Sequence, residues 1–166
     1  MARLNSGGVG FELPPGWEGQ IDPGEGTWRE TPQEGATQAL PATMPDGAVR
    51  RVVAHVANFP LPSGRGDFGN GAVQGMRSGD VFIALFEYDP ASTDTPLFRR
   101  AGIPEVSTAD SDPAALQKPV PGGSAMQRFF QVAGRAFCLY VVVGSHIDRA
   151  DVVPTIRTLL AGLEIT

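Results

Sequence analysis

One stretch of the chain, residues 126–145, constrains the fold more than any other. Its sequence, MQRFFQVAGRAFCLYVVVGS, is the most apolar part of the chain, and it is interrupted only at Ala133-Gly134. Runs rich in Val, Phe and Tyr that lack a polar face are typical of strands inside a covered sheet. We therefore predict two long strands joined at Ala133-Gly134, which form the centre of the sheet and are buried on both faces.

The remaining regular structure is predicted from shorter patterns. Four further segments have the composition of strands, namely residues 9–13, 17–22, 49–59 and 80–89. We expect the first two to form a hairpin across Pro14-Pro15-Gly16, and residues 1–8 to be a loose tail.

One segment near the end of the chain, residues 151–162, has helical periodicity. Its apolar side chains recur at helical spacing: Val152, Ile156, Leu159, Leu160 and Leu163. Because Pro154 fits only the first turn, we predict that this helix begins at about residue 150–152. Short helical turns are expected at 72–76 and at 114–118, the latter capped by Asp112.

The length and the loop content indicate one domain with long connections. A chain of 166 residues without repeats or an internal linker suits a single domain, residues 1–166. Its 21 glycines and 15 prolines favour irregular connections, chiefly residues 23–48 and 90–125. The predicted fold is α+β: a mainly antiparallel sheet of about six strands, with the C-terminal helix packed on one face and short helices and long loops on the other.

Charge and hydropathy exclude several classes of partner. The formal charge is −5 and the basic residues are scattered, so the chain lacks the basic stripe of a nucleic-acid-binding protein. No apolar run reaches 18 residues, so we expect no insertion into a membrane. The first residues lack the apolar core of a signal peptide, and a cytoplasmic location is expected if Met1 is the native start.

The glycine-rich segment 63–71, SGRGDFGNG, matches the dinucleotide-binding pattern GxGxxG. That pattern works when it joins a strand directly to a full helix, whose N-terminus receives the pyrophosphate. Here Pro60 and Pro62 separate the segment from the strand, and the next strand follows too soon for a three-turn helix. We interpret 63–71 as a hairpin loop, and its Arg65-Gly66-Asp67 tripeptide as a chance match to an integrin-type motif.

Residue types that perform catalysis are few and are not grouped. Cys138 lies within an apolar run, which is typical of an inert buried thiol. The two histidines, His55 and His146, have no spacing that suggests a zinc site. Ser145, His146 and Asp148 are too close in sequence to converge as a triad, and a helix-capping role is more favourable for them. We therefore expect no enzyme activity, no metal and no cofactor.

The loops supply the residues that we expect to contact a partner. Trp28 either fastens its loop to the body of the domain or serves as an aromatic anchor for a partner. Phe68 either contacts a partner or folds back onto the core. The full set of predicted partner-binding residues is Trp28, Arg65, Asp67, Phe68, Phe98 and Arg99.

Both ends of the chain resemble the Mog1/PsbP-like superfamily. The opening residues, from Gly10 to Trp17 (GFELPPGW), resemble the first strand and the F-x-x-P-x-G-W turn of that superfamily. The closing order of hairpin 126–144, polar turn, helix 151–161 and Leu163-Glu164-Ile165 is similar as well. The resemblance implies an antiparallel sheet between helical layers. It also implies protein binding without catalysis, and it assigns no site residue.

The function expected from the sequence is that of a non-catalytic protein-binding domain, as in an adaptor or a chaperone-like accessory protein. Its partner is another protein, and self-association into a homo-oligomer stays open. One alternative is a structural component of a larger secretion or injection-type assembly. The other is a small-ligand-binding protein or an enzyme, with a pocket under loops 23–48 and 63–71.

Overall fold

The computed structural model describes residues 1–24 and 51–166. Within these ranges the chain forms eight strands and one α-helix, joined by short 3-10 helices and loops. The strands are β1 (Ala2–Ser6), β2 (Val9–Leu13), β3 (Glu18–Asp22), β4 (Val53–Ala57), β5 (Val81–Glu87), β6 (Ser124–Val132), β7 (Arg135–Val143) and β8 (Glu164–Ile165). The helix, α1, spans Arg149–Ala161. In these ranges no helix has the length and apolarity needed to span a membrane.

The larger sheet has the order β3-β4-β5-β7-β6, and all of its neighbouring strands are antiparallel. The predicted hairpin is present as β6 and β7. Its turn residues Ala133 and Gly134 both have positive φ, 52° and 72°. Two such residues match the right-handed twist of the flanking strands.

The prediction that both hairpin strands lie at the sheet centre is wrong for β6. β7 is an inner strand between β5 and β6, whereas β6 forms the sheet edge. Irregular segments cover two points on that edge, where Asp112 bridges to Ala125 and Ala101 bridges to Gln131. Because these segments cover the edge, β6 can carry apolar residues although it is an edge strand. Its composition alone had suggested an interior strand.

The smaller sheet, with the order β1-β2-β8, corrects two further predictions. Residues 1–8 are not a loose tail, because Gly7 and Gly8 (φ 59° and 75°) form a tight turn that pairs β1 with β2. Segments 9–13 and 17–22 do not pair with each other either. The turn at Pro14, whose carbonyl accepts from Trp17 N at 3.1 Å, leads the chain into the larger sheet instead.

The two faces of the larger sheet carry two separate hydrophobic clusters, which confirms the predicted α+β layering. One face packs against α1 and the smaller sheet through side chains such as Phe11, Phe137 and Ile156. The other packs against loops and 3-10 helices through residues such as Phe82 and Tyr140. This second face carries the long connection between β4 and β5.

Helix α1 begins earlier than the position of Pro154 suggested. It starts at Arg149, which places Pro154 in the second turn. The missing N–H of Pro154 would bond to the carbonyl of Ala150, an exposed residue, so water can solvate that carbonyl. The predicted cap of the 114–118 turn is confirmed, since Asp112 Oδ1 accepts from Ala114 N at 2.8 Å, although the turn is a 3-10 helix, Pro113–Ala115.

Candidate functional site

The connection between β4 and β5, residues 58–80, forms an open groove on the protein surface. Its volume is about 580 Å³. The groove is lined by Asn58, Phe59, Pro60, Leu61, Pro62, Ala72, Gly75, Arg77 and Asp80. The 59–62 segment therefore presents four consecutive apolar residues along one wall, which we call the Phe59–Pro62 wall.

Proline chemistry and two local contacts explain why this wall leaves the sheet. Pro60 and Pro62 have no N–H for a strand ladder, so β4 ends before them. The intervening N–H of Leu61 donates instead to the Glu18 carboxylate at 3.1 Å. Beyond the wall, Gly69 adopts φ 78° beside the Phe82 ring, where a side chain would collide.

The opposite end of the groove is held by a turn before β5. Asn58 Oδ1 accepts from Val81 N at 2.7 Å, and its Nδ2 donates to the Gly79 carbonyl at 2.8 Å. The Asp80 carboxylate accepts from Arg77 N at 2.7 Å. The Arg77 side chain is exposed, and its guanidinium has no hydrogen-bond partner in the described part of the chain. That cation is available to a ligand in the groove.

A polar cleft of about 150 Å³ is formed by the same connection together with β3 and β4. It is lined by Gln20, Asp22, Val53, His55, Ser63, Arg65 and Asp67. The Arg65 guanidinium is the central donor: Nε donates to His55 Nδ1 at 2.9 Å, and the two terminal nitrogens donate to Gln20 Oε1 at 2.8 Å and to the Pro62 carbonyl at 2.9 Å. Burial lowers the pKa of Arg65 from its ordinary value.

These contacts indicate the tautomer of His55. An arginine nitrogen only donates hydrogen bonds, so His55 Nδ1 must be the acceptor. The proton of the neutral ring is therefore on Nε2, which donates to the Asp67 carbonyl at 2.6 Å. His55 is 6% exposed and lies in the middle of β4, tilted against the Phe82 ring at 5.3 Å. Through these two hydrogen bonds, the imidazole ring joins strand β4 to the loop.

The structure brings together some of the predicted partner-binding residues. Arg65 and Asp67 share the polar cleft. Phe68 is half-buried and folds back onto the core, with its ring centroid 4.4 Å from that of Phe86 and 5.5 Å from that of Tyr140. Trp28 lies outside the described residues.

The other predicted contacts, Phe98 and Arg99, line neither the groove nor the cleft. Phe98 is buried, with ring centroids 5.0 Å from Tyr88 and 5.5 Å from Phe129. Its role as a direct partner contact is therefore corrected to a core role. Arg99 is exposed, and its Nε donates to the Pro96 carbonyl at 3.1 Å.

The residues considered for a triad do not form one. Ser145 Oγ and Ser78 Oγ both donate to Asp148 Oδ2, at 2.8 and 2.7 Å, and these bonds lower the pKa of Asp148. The side chain of His146 takes no part, and its buried Nδ1 has no partner among the described residues. Asp148 also makes no side-chain cap on α1, contrary to expectation, because its carboxylate is engaged by the two serines.

Cys138 is a buried structural thiol, as its apolar neighbours predicted. It is fully buried, and burial raises its pKa to about 12, partly offset by a hydrogen bond from Gln127. We expect Cys138→Ala to lower the free energy of unfolding by about 1 kcal/mol and to leave partner binding unchanged. Urea denaturation measures the first effect. A loss of binding with unchanged stability would contradict the structural role.

Sequence reasoning missed His55 and the Phe59–Pro62 wall. A lone histidine inside the apolar strand VAHVA is a usable signal, because a buried polar ring requires hydrogen-bond partners. The described residues contain no group of three or more His, Cys, Asp or Glu side chains that could hold a metal ion. Comparisons of the chain with protein-family models, with curated proteins and with solved structures found no match.

Proposed function

We propose that this chain is a non-catalytic protein-binding domain, of an adaptor or chaperone-like kind, which receives a segment of another protein in the groove along the Phe59–Pro62 wall. The observation that carries the proposal is the open apolar wall beside the cation of Arg77, which has no hydrogen-bond partner among residues 1–24 and 51–166. Small-ligand sites enclose most of their ligand, whereas an open groove suits a segment of polypeptide.

The wall is already ordered before a partner arrives. The prolines at 60 and 62 have fixed φ, and Leu61 N is held by Glu18. Immobilising flexible groups opposes binding, so a groove that is rigid beforehand loses less free energy on association. The backbone of the wall has few free donors. Recognition therefore depends on apolar side chains of the partner, together with a carboxylate that pairs with Arg77.

The resemblance of both chain ends to the Mog1/PsbP-like superfamily supports the same class of function, since members of that superfamily mostly bind proteins. A permanent component of a larger assembly, the alternative function, would use the same groove. It would differ from an adaptor in how long the complex lasts.

Site-specific photocrosslinking from Leu61 tests the proposed function. A benzophenone side chain at Leu61 should give a discrete adduct with one protein in lysate of the source cells. The same group at Thr155, an exposed position on α1, should not give that adduct. Equal labelling from both positions would contradict docking in the groove.

We expect Leu61→Asp to weaken binding of the crosslinked partner about tenfold or more, equivalent to about 1.4 kcal/mol, because it places a charge on the apolar wall. Leu97→Asp is the control with the same change of side chain: Leu97 is exposed, whereas Leu61 is half-buried, and it adjoins Phe98 and Arg99 rather than the groove. Titration calorimetry with the purified partner measures both. Weaker binding by the Leu97 variant alone would place the interface around Phe98 and Arg99 instead.

The polar cleft favours a second candidate function, binding of one small polar ligand. Converging polar groups from two strands and a loop line about 150 Å³, which accommodates only a small molecule. Saturation-transfer NMR with a library of small polar compounds tests this function. A true ligand loses its signal in the Arg65→Met variant, and a library without any such compound contradicts the candidate.

A further inference from the structure

We propose that the contact between His55 and Arg65 is a pH-sensitive latch that holds the Phe59–Pro62 wall, and that protonation of His55 releases it. The effect of the latch on partner binding rests on the proposed function. The latch itself depends only on contacts within this chain.

The hydrogen bonds of the two side chains make the contact sensitive to one proton. In the neutral ring, Nδ1 accepts from Arg65 Nε at 2.9 Å while Nε2 donates to the Asp67 carbonyl. A protonated imidazole carries a hydrogen on both nitrogens. Its Nδ1–H would then face the Arg65 Nε–H. Two hydrogen-bond donors and two positive charges would meet, so the contact would become repulsive. The bond to Asp67 survives protonation, so the proton displaces Arg65 specifically.

Three elements of the described part of the chain pack around His55, and two of them contribute charged groups. Strand β3 contributes Asp22, beside the neutral Gln20, and the loop contributes Arg65 and Asp67. Strand β5 contributes the Phe82 ring, which is uncharged. An ordinary histidine changes charge between about pH 5 and 8. The hydrogen-bond geometry decides that the contact with Arg65, rather than the one with the Asp67 carbonyl, is the contact that protonation breaks.

The same guanidinium connects the cleft to the groove. Besides His55, Arg65 donates to the carbonyl of Pro62, which is itself part of the Phe59–Pro62 wall. Next to Arg65, Gly66 N donates to the Asn70 carbonyl at 2.7 Å and so closes the loop that leads to Ala72, another residue that lines the groove. When Arg65 leaves, Pro62 loses its donor, and of the two hydrogen bonds that join the loop to His55 on β4 only the one to the Asp67 carbonyl stays. The groove therefore changes shape on acidification.

A pH titration by two-dimensional 1H–15N NMR tests the latch on the full chain without a partner. Between pH 8 and pH 5, the amides of Ser63, Gly66 and Ala72 should shift with the same midpoint as the His55 ring. His55→Gln should abolish these shifts. His146→Gln, at the other histidine of the chain, should leave them unchanged.

Arg65→Met provides a second, independent test that keeps the histidine. In that variant the His55 ring should still titrate, while the three loop amides no longer follow it. Loop shifts that persist in Arg65→Met, or a wild-type His55 that titrates without any loop response, would overturn the latch.

Partner binding then separates the latch from the proposed function. Crosslinking from Leu61 should fall about tenfold for each pH unit below the His55 midpoint, because binding requires the unprotonated ring. The fall should be absent in His55→Gln. Crosslinking that is absent at every pH contradicts docking and leaves the NMR result for the latch intact. Crosslinking that is independent of pH contradicts control of the groove by His55.

Discussion

Replacing Arg135 with Met should lower the free energy of unfolding by about 3–5 kcal/mol, the range measured when one partner of a buried ion pair is removed. Arg135 opens β7, and its guanidinium makes two hydrogen bonds to Glu87, with Nε to Oε1 at 2.8 Å and a terminal nitrogen to Oε2 at 2.9 Å. The side chains are 17% and 8% exposed. The variant would leave the Glu87 carboxylate buried without its cation.

The position of Arg135 makes this loss larger than that of one ion pair. The same guanidinium donates to the carbonyls of Gly7, Gly8 and Thr166, which belong to the smaller sheet and its flanking residues. It also lies 5.1 Å from the centroid of the Phe137 ring. One side chain therefore joins the two sheets. Its removal takes a hydrogen bond from each of three carbonyls, of which that of Gly8 keeps its bond from Thr166 N.

Urea denaturation of Arg135→Met and of Arg3→Met compares the loss of stability at a buried ion pair with the loss at an exposed one. Arg3 also pairs with a glutamate, Glu164, but those side chains are 55% and 58% exposed, so its removal should lower stability by less than about 1 kcal/mol. The double variant Glu87→Gln/Arg135→Met should be more stable than Arg135→Met, because no unpaired charge stays buried. Equal losses at Arg135 and Arg3 would contradict the role of burial.

The elements that the sequence predicted well are those determined by neighbouring residues. The β6–β7 hairpin follows from two apolar runs around a two-residue turn, and α1 follows from apolar side chains at helical spacing. Sheet order is different, because an apolar strand does not reveal which strand lies beside it. The edge position of β6 depends on cover from residues 101 and 112, which are distant in sequence.

The N-terminal strand shows the same limit. The sequence ARLNS of β1 is largely exposed, so it has no apolar pattern, and its place depends on the Gly7-Gly8 turn. The carbonyl of Gly7 in this turn accepts a hydrogen bond from Arg135, more than 120 residues away in the chain. Local patterns carry no information on such a contact.

The candidate site was predicted in part, for a comparable reason. Loop composition pointed to Arg65 and Asp67, and both line the cleft. Arg77 and His55 were assigned no role from the sequence, because the first is an ordinary arginine there and the second is an isolated histidine in a strand. Only the folded connection between β4 and β5 places the apolar wall and the cation in one groove.

Gly144→Ala should lower the free energy of unfolding by about 3 kcal/mol, at the upper end of the usual range for overpacking. A methyl group on Gly144 would overlap the carbonyl oxygen of Arg77 and lie 2.8 Å from its carbonyl carbon. Both atoms belong to the backbone, so no side-chain rotation relieves the overlap. Gly144 N also donates to the Asp80 carbonyl at 2.9 Å, which holds the two segments in contact.

The same substitution should reduce docking in the groove, because Arg77 and Asp80 form one end of it. Gly75→Ala is the matched control. Gly75 also lines the groove, but a methyl group there meets no atom within 4 Å, so stability should change by less than about 0.5 kcal/mol. Urea denaturation and crosslinking from Leu61 measure the two effects. A Gly144→Ala variant as stable as Gly75→Ala would show that the 77–80 turn yields readily, in which case the groove is not held rigid at this end.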